Sequence, residues 1–253
     1  MFSMTTAYSR NTTFSNFTTA KRHMTAIYAK LDKKHHFTLY CKCSFSKKVV
    51  DHRSCGYIPK RAKTKKGGRN KRAYRLEWEH IVPAHAFGQS FDAWKNKENY
   101  KNCKQKSSRS CARQEEPEFR YMEADLYNLF PAIGEVNADR SNFSMAMISG
   151  ERRDYGSCDV EINNRKIEPN ETIRGDIART YMYMNAAYPH RGIISNKNAE
   201  LFEVWHRQDP VDRLEIERAK AIQEKQGNCN AFVLDCSNNK PISVSTGFPQ
   251  PSP

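Results

Sequence analysis

Residues 76–85, LEWEHIVPAH, decide the expected fold of this chain and place an acid next to a histidine. The alternation of apolar and polar residues over YRLEWEHIV, residues 74–82, predicts a β-strand that Pro83 ends. A carboxylate and an imidazole, Glu79 and His80, are adjacent near the end of that strand. Because neighbouring side chains of a strand face opposite sides, these two can serve one centre only where the strand ends or bends.

The chain as a whole is basic and polar. Its 253 residues are enough to bury a sizeable core, and we expect one domain. Lysine and arginine (42) exceed aspartate and glutamate (28), which gives a net charge of +14. Such an excess attracts polyanions, whether nucleic acid, anionic lipid or glycan. Because no apolar run approaches the roughly 18 residues of a membrane helix, we expect no membrane partner.

The positive charge is concentrated immediately before the strand. Nine of the sixteen residues of KRAKTKKGGRNKRAYR, residues 60–75, are lysine or arginine. A lone run of this kind is often only a solvated, flexible loop. Its position beside Glu79 and His80 favours contact with a polyanion. The candidates for nucleic-acid binding in this basic segment are Lys65, Lys66, Arg69, Lys71 and Arg72.

Cysteines are spread over most of the chain, without the paired CxxC sets of a zinc ribbon. An even number with this distribution predicts disulfides and an oxidising compartment, with buried free thiols as the alternative. The first twenty residues lack the apolar core of a secretory signal, so a secreted or periplasmic location requires a signal that is not visible in this chain. The eight cysteines are Cys41, Cys43, Cys55, Cys103, Cys111, Cys158, Cys229 and Cys236.

Hydrophobic periodicity predicts several helices but no repeating βαβ pattern, which favours an α+β fold. Gly227 is the expected C-terminal cap of the last helix. Polar segments at the two ends, residues 1–19 and 237–253, are expected to be poorly ordered. The predicted helices cover residues 20–31, 84–96, 171–189, 198–210 and 212–228.

Three further segments complete the pattern. Residues 36–45 alternate as a strand does, and residues 97–118, which carry two cysteines, read as a loop. Apolar residues at spacings of three and four over residues 126–136 predict a helix. Within it, Pro131 could open a second helical piece, because proline is tolerated in a first turn.

A nuclease would need both members of the central pair. Phosphodiester hydrolysis requires a general base for water and a divalent cation for the charge that grows on the phosphate. The usual pKa of histidine lies near neutrality, and Mg²⁺ prefers hard oxygen ligands such as carboxylate. By itself a Glu-His pair is weak evidence, because it occurs by chance in many chains. Rival motifs are absent from the sequence: there is no HExxH, and His80 and His85 are five residues apart.

Several ordered motifs resemble the bacterial endonuclease I family of periplasmic and extracellular nucleases. They are LEWEHIVPAHAFG (76–88), KNC (101–103), MEADLYNLFPAIGEVNADRSNF (122–143), YGSC (155–158), IRGDIARTYMYM (173–184) and KQGN (225–228). The resemblance runs from about Phe17 to Cys236. It implies a single mixed α+β domain over residues 20–236, with a ββα-metal (His-Me finger) active-site core braced by disulfides.

By this resemblance, His80 is similar to the general base and Glu79 to a metal ligand. Asn137 matches the second protein ligand, supplied by the helix of the finger. Glu123 matches an acidic position that supports catalysis from beside the metal. Water and the substrate phosphate would complete the coordination, an arrangement that suits Mg²⁺ with Mn²⁺ or Ca²⁺ as substitutes.

The resemblance also implies the reaction. The family cuts DNA, and often RNA, with little sequence preference, and leaves 5′-phosphate and 3′-hydroxyl ends. We expect a monomer. Two alternatives stay open: a basic nucleic-acid- or polyanion-binding protein with weak or no catalysis on the same scaffold, and a nuclease specialised for RNA.

The chain departs from the family where it has ENYKNC in place of GGRKNC. Tyr100 then replaces an arginine thought to hold the cleaved phosphate, a role that would pass to Lys101, Lys97 or Arg140 or be weakened. His85 stands where a tryptophan is usual, and we expect it to be a packing or surface residue.

Arg174 and Arg179 are five residues apart on a predicted helix and so point in different directions. One is expected to brace the fold while the other faces DNA. The sequence does not decide between them, and Arg174 is kept as a nucleic-acid candidate.

The cysteine positions also differ from those of the family. Ala93 and Ile216 stand where family members often have cysteines. The resemblance then implies local pairs, Cys103 with Cys111 and Cys229 with Cys236. The other four cysteines would pair among themselves.

Overall fold

The computed structural model describes residues 9–150 and 152–242. In these ranges helices and short strands share one large hydrophobic core, which confirms the predicted α+β class. The helices are α1 (Phe17–Lys30), α2 (Ala84–Gly88), α3 (Asp92–Lys95), α4 (Ser108–Glu115), α5 (Pro117–Glu123), α6 (Gly134–Arg140), α7 (Arg174–Ala187), α8 (Asn196–Gln208) and α9 (Arg213–Gln226). The strands are β1 (Phe45–Ser46), β2 (Val49–Val50), β3 (Leu76–His80), β4 (Leu129–Ile133), β5 (Ser144–Met145), β6 (Val160–Asn163), β7 (Lys166–Pro169), β8 (Leu234–Asp235) and β9 (Lys240–Pro241).

Two strands and a helix form the centre of the molecule. β3 pairs with β4 in antiparallel register, with Glu79 opposite Phe130 and His80 opposite Leu129. α6 begins directly after β4 and contacts both strands. This is a ββα arrangement, as expected. The predicted strand over residues 74–82 is confirmed, and it ends at His80.

The helix predicted over residues 126–136 is wrong in its first part. Residues 129–133 form β4, and all five are buried. A fully buried strand is a continuous apolar run, so its residues also match helical spacing. Proline has no backbone N–H to donate, so it is tolerated on an edge strand. In the two-stranded sheet of β3 and β4, both strands are edge strands, and Pro131 fits there.

Two other segments also differ from expectation. Residues 97–118 are not a plain loop, because they contain α4 and the start of α5. Residues 36–45 do not form one continuous strand: only Phe45 belongs to β1, and a turn is closed by hydrogen bonds from Thr38 N to Cys43 O (2.8 Å) and from Lys42 N to Thr38 O (2.9 Å). In both segments, local polar contacts and a disulfide outweigh the pattern of the sequence.

The expectation of poor order at the two ends stays a prediction, although their described parts make defined contacts. α1 begins at Phe17, and the buried side chain of Asn11 donates to the carbonyl oxygens of Phe14 and Tyr121. Residues 240–241 pair with β8 as a hairpin. Residues 1–8 and 243–253 lie outside the described residues.

The predicted helices over residues 20–31, 171–189, 198–210 and 212–228 are confirmed as α1, α7, α8 and α9. The segment 84–96 divides into α2 and α3. Gly227 ends α9 with φ of 86°, the left-handed conformation that favours glycine. No helix among the described residues combines the length and apolar character needed to cross a membrane.

Four disulfides brace the domain. The predicted local pairs Cys103–Cys111 and Cys229–Cys236 are confirmed. The remaining cysteines pair among themselves, as Cys41–Cys158 and Cys43–Cys55. The Cys41–Cys158 bond joins positions 117 residues apart in the sequence. It therefore ties the segment before the central motif to the segment after it.

Candidate active site

The imidazole of His80 lies at the end of β3 in a buried position. Its Nε2 atom is 2.8 Å from the backbone carbonyl oxygen of Glu123, and its ring lies 4.6 Å from that of Phe17. A carbonyl oxygen only accepts, so Nε2 carries the proton and Nδ1 holds the lone pair of a base. Burial, assisted by the charge of Arg109, lowers the pKa of His80 to about 4. The ring is therefore neutral at pH 7.

Glu79, the residue before His80 on β3, is also buried. Its Oε1 atom accepts from the Tyr40 hydroxyl at 3.2 Å and lies 3.1 Å from Nη1 of Arg140. Burial raises the pKa of Glu79 to about 7, although Arg140 and Tyr40 oppose that shift. Both of these contacts are made to Oε1, and a hydrogen bond from the backbone of His80 to the carboxylate also opposes the rise of its pKa.

Asn137, in the middle of α6, is joined to β3 through a residue that the sequence analysis missed. Its Nδ2 atom donates to Oε2 of Glu77 at 3.1 Å. Glu77 and Glu79 share a face of β3 because they are two residues apart. That alternation was a signal by which Glu77 could have been found from the sequence.

Glu79 and Asn137 fit a hard divalent cation. They offer one carboxylate oxygen and one amide oxygen, the types that Mg²⁺ prefers while it keeps several waters. The carboxylate is buried, so its negative charge is poorly solvated and would be stabilised by a cation. Among the described residues, no group of three or more His, Cys, Asp or Glu side chains is arranged to hold a metal. A site with few protein ligands and several waters is the kind these residues can form.

Glu123 contacts the candidate base through its backbone carbonyl and two arginines through its carboxylate. The buried carboxylate accepts from Nε of Arg109 at 2.6 Å and from Nε of Arg113 at 2.7 Å. Burial opposes its ionisation, but the hydrogen bonds and charges of the two arginines prevail and lower the pKa of Glu123. The carboxylate therefore holds two cationic groups beside the base, while the carbonyl oxygen holds the base itself.

Arg109 and Arg113 were missed because their segment was expected to be a loop. They lie four residues apart on α4 and so share one face of the helix. The Arg109 side chain is 38% exposed, and its guanidinium lies 5.6 Å from the centre of the Phe17 ring. Because Phe17 packs against His80, Arg109 is a partly exposed cation next to the candidate base.

Two of the predicted nucleic-acid contacts, Arg140 and Arg174, already have partners within the protein. Arg140 is fully buried, and it donates to the carbonyl oxygens of His80 and Ile81 in addition to its ion pair with Glu79. Arg174 pairs with Glu168 at 2.7 Å. Arg140 makes only interior contacts, whereas the side chain of Arg174 remains 19% exposed.

Arg179 braces the fold, since it is buried and paired with Glu215. Arg174 is the more exposed of the two, and the expected division of labour between Arg174 and Arg179 stays a prediction. A separation of five residues on a helix shows only that the two side chains point in different directions. Here Arg174 meets the carboxylate of Glu168 and Arg179 meets that of Glu215.

Tyr100 is half-buried and donates its hydroxyl to Asp92 at 2.9 Å. Its neighbour Lys101 is exposed. Lys97 donates to the carbonyl oxygen of Lys106 at 2.9 Å. His85 is exposed, with contacts to Gln89 and the ring of Trp94, as expected of a surface residue.

The basic segment is partly paired and partly open. Arg72 is held by both oxygens of Glu77, and Arg69 lies over the ring of Tyr74 at 4.2 Å. Lys65, Lys66 and Lys71 are exposed. The lysines at the tip are therefore open to phosphate, whereas for Arg72 a phosphate would compete with Glu77.

Known proteins match this chain over most of its length. The family profile described as Endonuclease I matches residues 13–237. An extracellular deoxyribonuclease of Aeromonas hydrophila is 40% identical over 211 residues, or 81% of this chain and 83% of that protein. A periplasmic deoxyribonuclease of the same species is 39% identical over 81% of each chain. Endonuclease-1 of Buchnera aphidicola subsp. Acyrthosiphon pisum is 37% identical over 90% of this chain and 84% of its own. The chain therefore belongs to the endonuclease I family and is a nuclease.

Proposed function

We propose that this protein is a secreted or periplasmic endonuclease that hydrolyses DNA, and RNA as well, with Mg²⁺ and without sequence preference. The observation that carries the proposal is the neutral imidazole of His80 at the end of β3, whose Nε2 is held by the carbonyl oxygen of Glu123, directly after the buried Glu79 in the sequence. The names of the A. hydrophila relatives support DNA as the substrate and a location outside the cytoplasm.

His80 is the proposed general base. With Nε2 donating to the carbonyl oxygen of Glu123, Nδ1 is free to take a proton from water. The low pKa of His80 keeps this nitrogen unprotonated at neutral pH. The carbonyl contact fixes the plane of the ring, so the direction in which Nδ1 receives the proton is set before substrate arrives.

Glu79 and Asn137 are the proposed ligands of the cation, for which Mn²⁺ or Ca²⁺ could substitute. When bound, the cation neutralises charge on the scissile phosphate and on the departing 3′ oxygen. Tyr40 and Arg140 hold Oε1 of Glu79, which directs the rest of the carboxylate. Attack of water on phosphorus with loss of the 3′ oxygen leaves 5′-phosphate and 3′-hydroxyl ends.

Arg109 is the proposed contact for the reacting phosphate, in place of Tyr100. It is charged, partly exposed and next to His80, whereas the Tyr100 hydroxyl is bound to Asp92. Lys101 and the lysines of the basic segment would hold phosphates further along the strand. Contacts to phosphate carry no base information, so low sequence preference follows, and phosphates are common to DNA and RNA.

The test is cleavage of supercoiled plasmid and of a generic RNA by the oxidised protein, with Mg²⁺ and with chelator. We expect cation-dependent degradation of both, lost in His80→Ala and Glu79→Gln but kept in His85→Ala. The last variant is a matched control, because His85 is an exposed histidine close by in the sequence. Cleavage that survives in His80→Ala would reject the proposed base.

A binding protein with weak or no catalysis is the second candidate. The engagement of the Tyr100 hydroxyl by Asp92 favours it, because this tyrosine brings neither charge nor a free donor to a phosphate. A wild type that binds DNA but cuts neither substrate with Mg²⁺, Mn²⁺ or Ca²⁺ would establish this alternative. A wild type that cuts RNA alone would establish the RNA-specialised form. We also propose a monomer, which sedimentation of the oxidised protein tests.

A further inference from the structure

Glu77 is a second carboxylate on the face of β3 that carries Glu79. Its side chain is 15% exposed. The proposed reaction uses neither of its oxygens, since His80 is the base and Glu79 and Asn137 are the cation ligands. Yet every contact of Glu77 leads either to the proposed cation site or to the basic segment.

Both oxygens of Glu77 receive donors from two directions. Oε1 accepts from Nε of Arg72 at 2.9 Å and from Nε of Arg75 at 2.8 Å. Oε2 accepts from Nη2 of Arg72 at 2.8 Å and from Nδ2 of Asn137 at 3.1 Å. One carboxylate therefore contacts the base of the basic segment and the amide proposed to hold the cation.

The contact with Glu77 fixes which way the Asn137 amide points. An asparagine amide carries an acceptor oxygen on one branch and a donor nitrogen on the other. A carboxylate only accepts, so the nitrogen must face Glu77 and Oδ1 must face away from it. In the reversed orientation, the amide would present its NH₂ group where a cation needs an oxygen.

The surrounding backbone leaves little room for this arrangement to relax. Gly134 opens α6, and a Cβ atom there would come within 2.8 Å of both the carbonyl oxygen of Arg72 and Oε1 of Glu77. The other end of the basic segment is also bound to α6, through an ion pair of Arg61 with Asp139. The helix that carries Asn137 is thus fastened to the basic segment at two places.

We propose that Glu77 is a positioning residue that turns Oδ1 of Asn137 toward the cation and couples cation binding to phosphate binding. The inference rests on the proposed function of the site. Phosphates that bind Arg72 and Arg75 compete with Glu77 for these arginines. The carboxylate is then less neutralised and its hydrogen bond to Asn137 strengthens, so nucleic acid raises the affinity for the cation. By linkage, the cation raises the affinity for nucleic acid by the same factor.

The experiment measures Mn²⁺ binding directly, from the electron paramagnetic resonance signal of free Mn²⁺. The Kd of Mn²⁺ is determined for the wild type, Glu77→Gln and the matched control Glu200→Gln, an exposed glutamate of α8. The same titrations are repeated with a short DNA duplex in a His80→Ala background, which prevents cleavage.

We expect Glu77→Gln to raise the Kd of Mn²⁺ by about tenfold or more, as is typical when a partner of a metal ligand is removed. Duplex should tighten Mn²⁺ binding less in Glu77→Gln than in protein that retains Glu77. Glu200→Gln should match the wild type. A Kd of Glu77→Gln within twofold of the wild type would overturn the positioning role, and an equal effect of duplex in both proteins would overturn the coupling.

A second variant guards against loss of the fold in Glu77→Gln. Arg72→Gln keeps the carboxylate but removes a cation from it, so Mn²⁺ should bind more tightly in the absence of DNA. Unchanged or weaker binding would contradict the coupling. Cleavage of plasmid by the wild type is measured in parallel: its absence would reject the proposed nuclease, whereas the Mn²⁺ titrations judge Glu77 separately.

Discussion

The Nε2 atom of His80 lies 2.8 Å from the backbone carbonyl oxygen of Glu123. The orientation of the base is therefore set by main chain and does not require the Glu123 carboxylate. That carboxylate holds Arg109 and Arg113 instead. A substitution of the Glu123 side chain should therefore remove the ion pairs with the two arginines and leave the orientation of His80 unchanged.

Glu123→Gln should destabilise the protein in a pH-dependent manner. The pKa of Glu123 is below its usual value of 4.5, so the folded state binds this proton less tightly than the unfolded state. The stabilisation is then fully present above that usual value and is lost as the pH falls through the lower, folded-state pKa. Urea unfolding at pH 7 and pH 3 should show a difference between wild type and variant that shrinks at the lower pH. An equal difference at both values would contradict the ion-pair account.

The acid limb of the activity profile should depend on the cation concentration. Glu79 has a pKa of about 7, so a proton competes with the cation below neutrality. His80, with a pKa of about 4, stays neutral over the same range. Higher Mg²⁺ should therefore move the acid midpoint of kcat/KM to lower pH. A midpoint near 6.5 that ignores Mg²⁺ would instead indicate a solvated histidine as the titrating group.

Lys65→Ala combined with Lys66→Ala should weaken DNA binding and flatten its salt dependence. The slope of log K against log salt is negative, and each lost phosphate contact reduces its magnitude by roughly 0.9. The comparison is made in a His80→Ala background by fluorescence anisotropy between low and moderate salt. Arg174→Gln is the control, because that guanidinium is already paired with Glu168, and its slope should stay unchanged. The same slope in the lysine double variant would exclude the tip of the basic segment from binding.

Loss of the Cys41–Cys158 disulfide should cost more stability than loss of Cys229–Cys236. The first bond closes 117 residues of sequence and the second closes 7. Chain entropy gives about 5 kcal/mol for the longer closure and about 2 kcal/mol for the shorter one. Urea unfolding of the two double Cys→Ser variants measures the order. A larger loss from the Cys229–Cys236 variant would show that local packing, rather than loop closure, dominates.

Elements with a single strong local signal were predictable from sequence. The strand ending after LEWEH and the long amphipathic helices belong to this group, because side-chain periodicity decides them. β4 was not predictable, because all its residues are buried and apolar, and such a run lacks the alternation of polar and apolar residues that identifies a strand. Tertiary pairing with β3 decides it.

The candidate site divides in the same way. The resemblance of the ordered motifs predicted Glu79, His80 and Asn137 as site residues. The side chains and carbonyls that contact them could not be predicted, because they come from distant segments. Arg109 comes to His80 only because α4 forms in a segment that reads as loop. The burial of Arg140 could not be seen either, because an arginine in a charged sequence is ordinarily a surface residue.

The pairing of β3 with β4 places His80 opposite Leu129, with residues 81–128 between them. The candidate base and the helix of Asn137 therefore meet only by closing a long loop, which is slow compared with local structure. A nascent chain that ends before Leu129 has the LEWEH strand but no strand to pair with it. The proposed cleavage site is therefore complete only after the chain has grown past Asn137 and the two strands have paired.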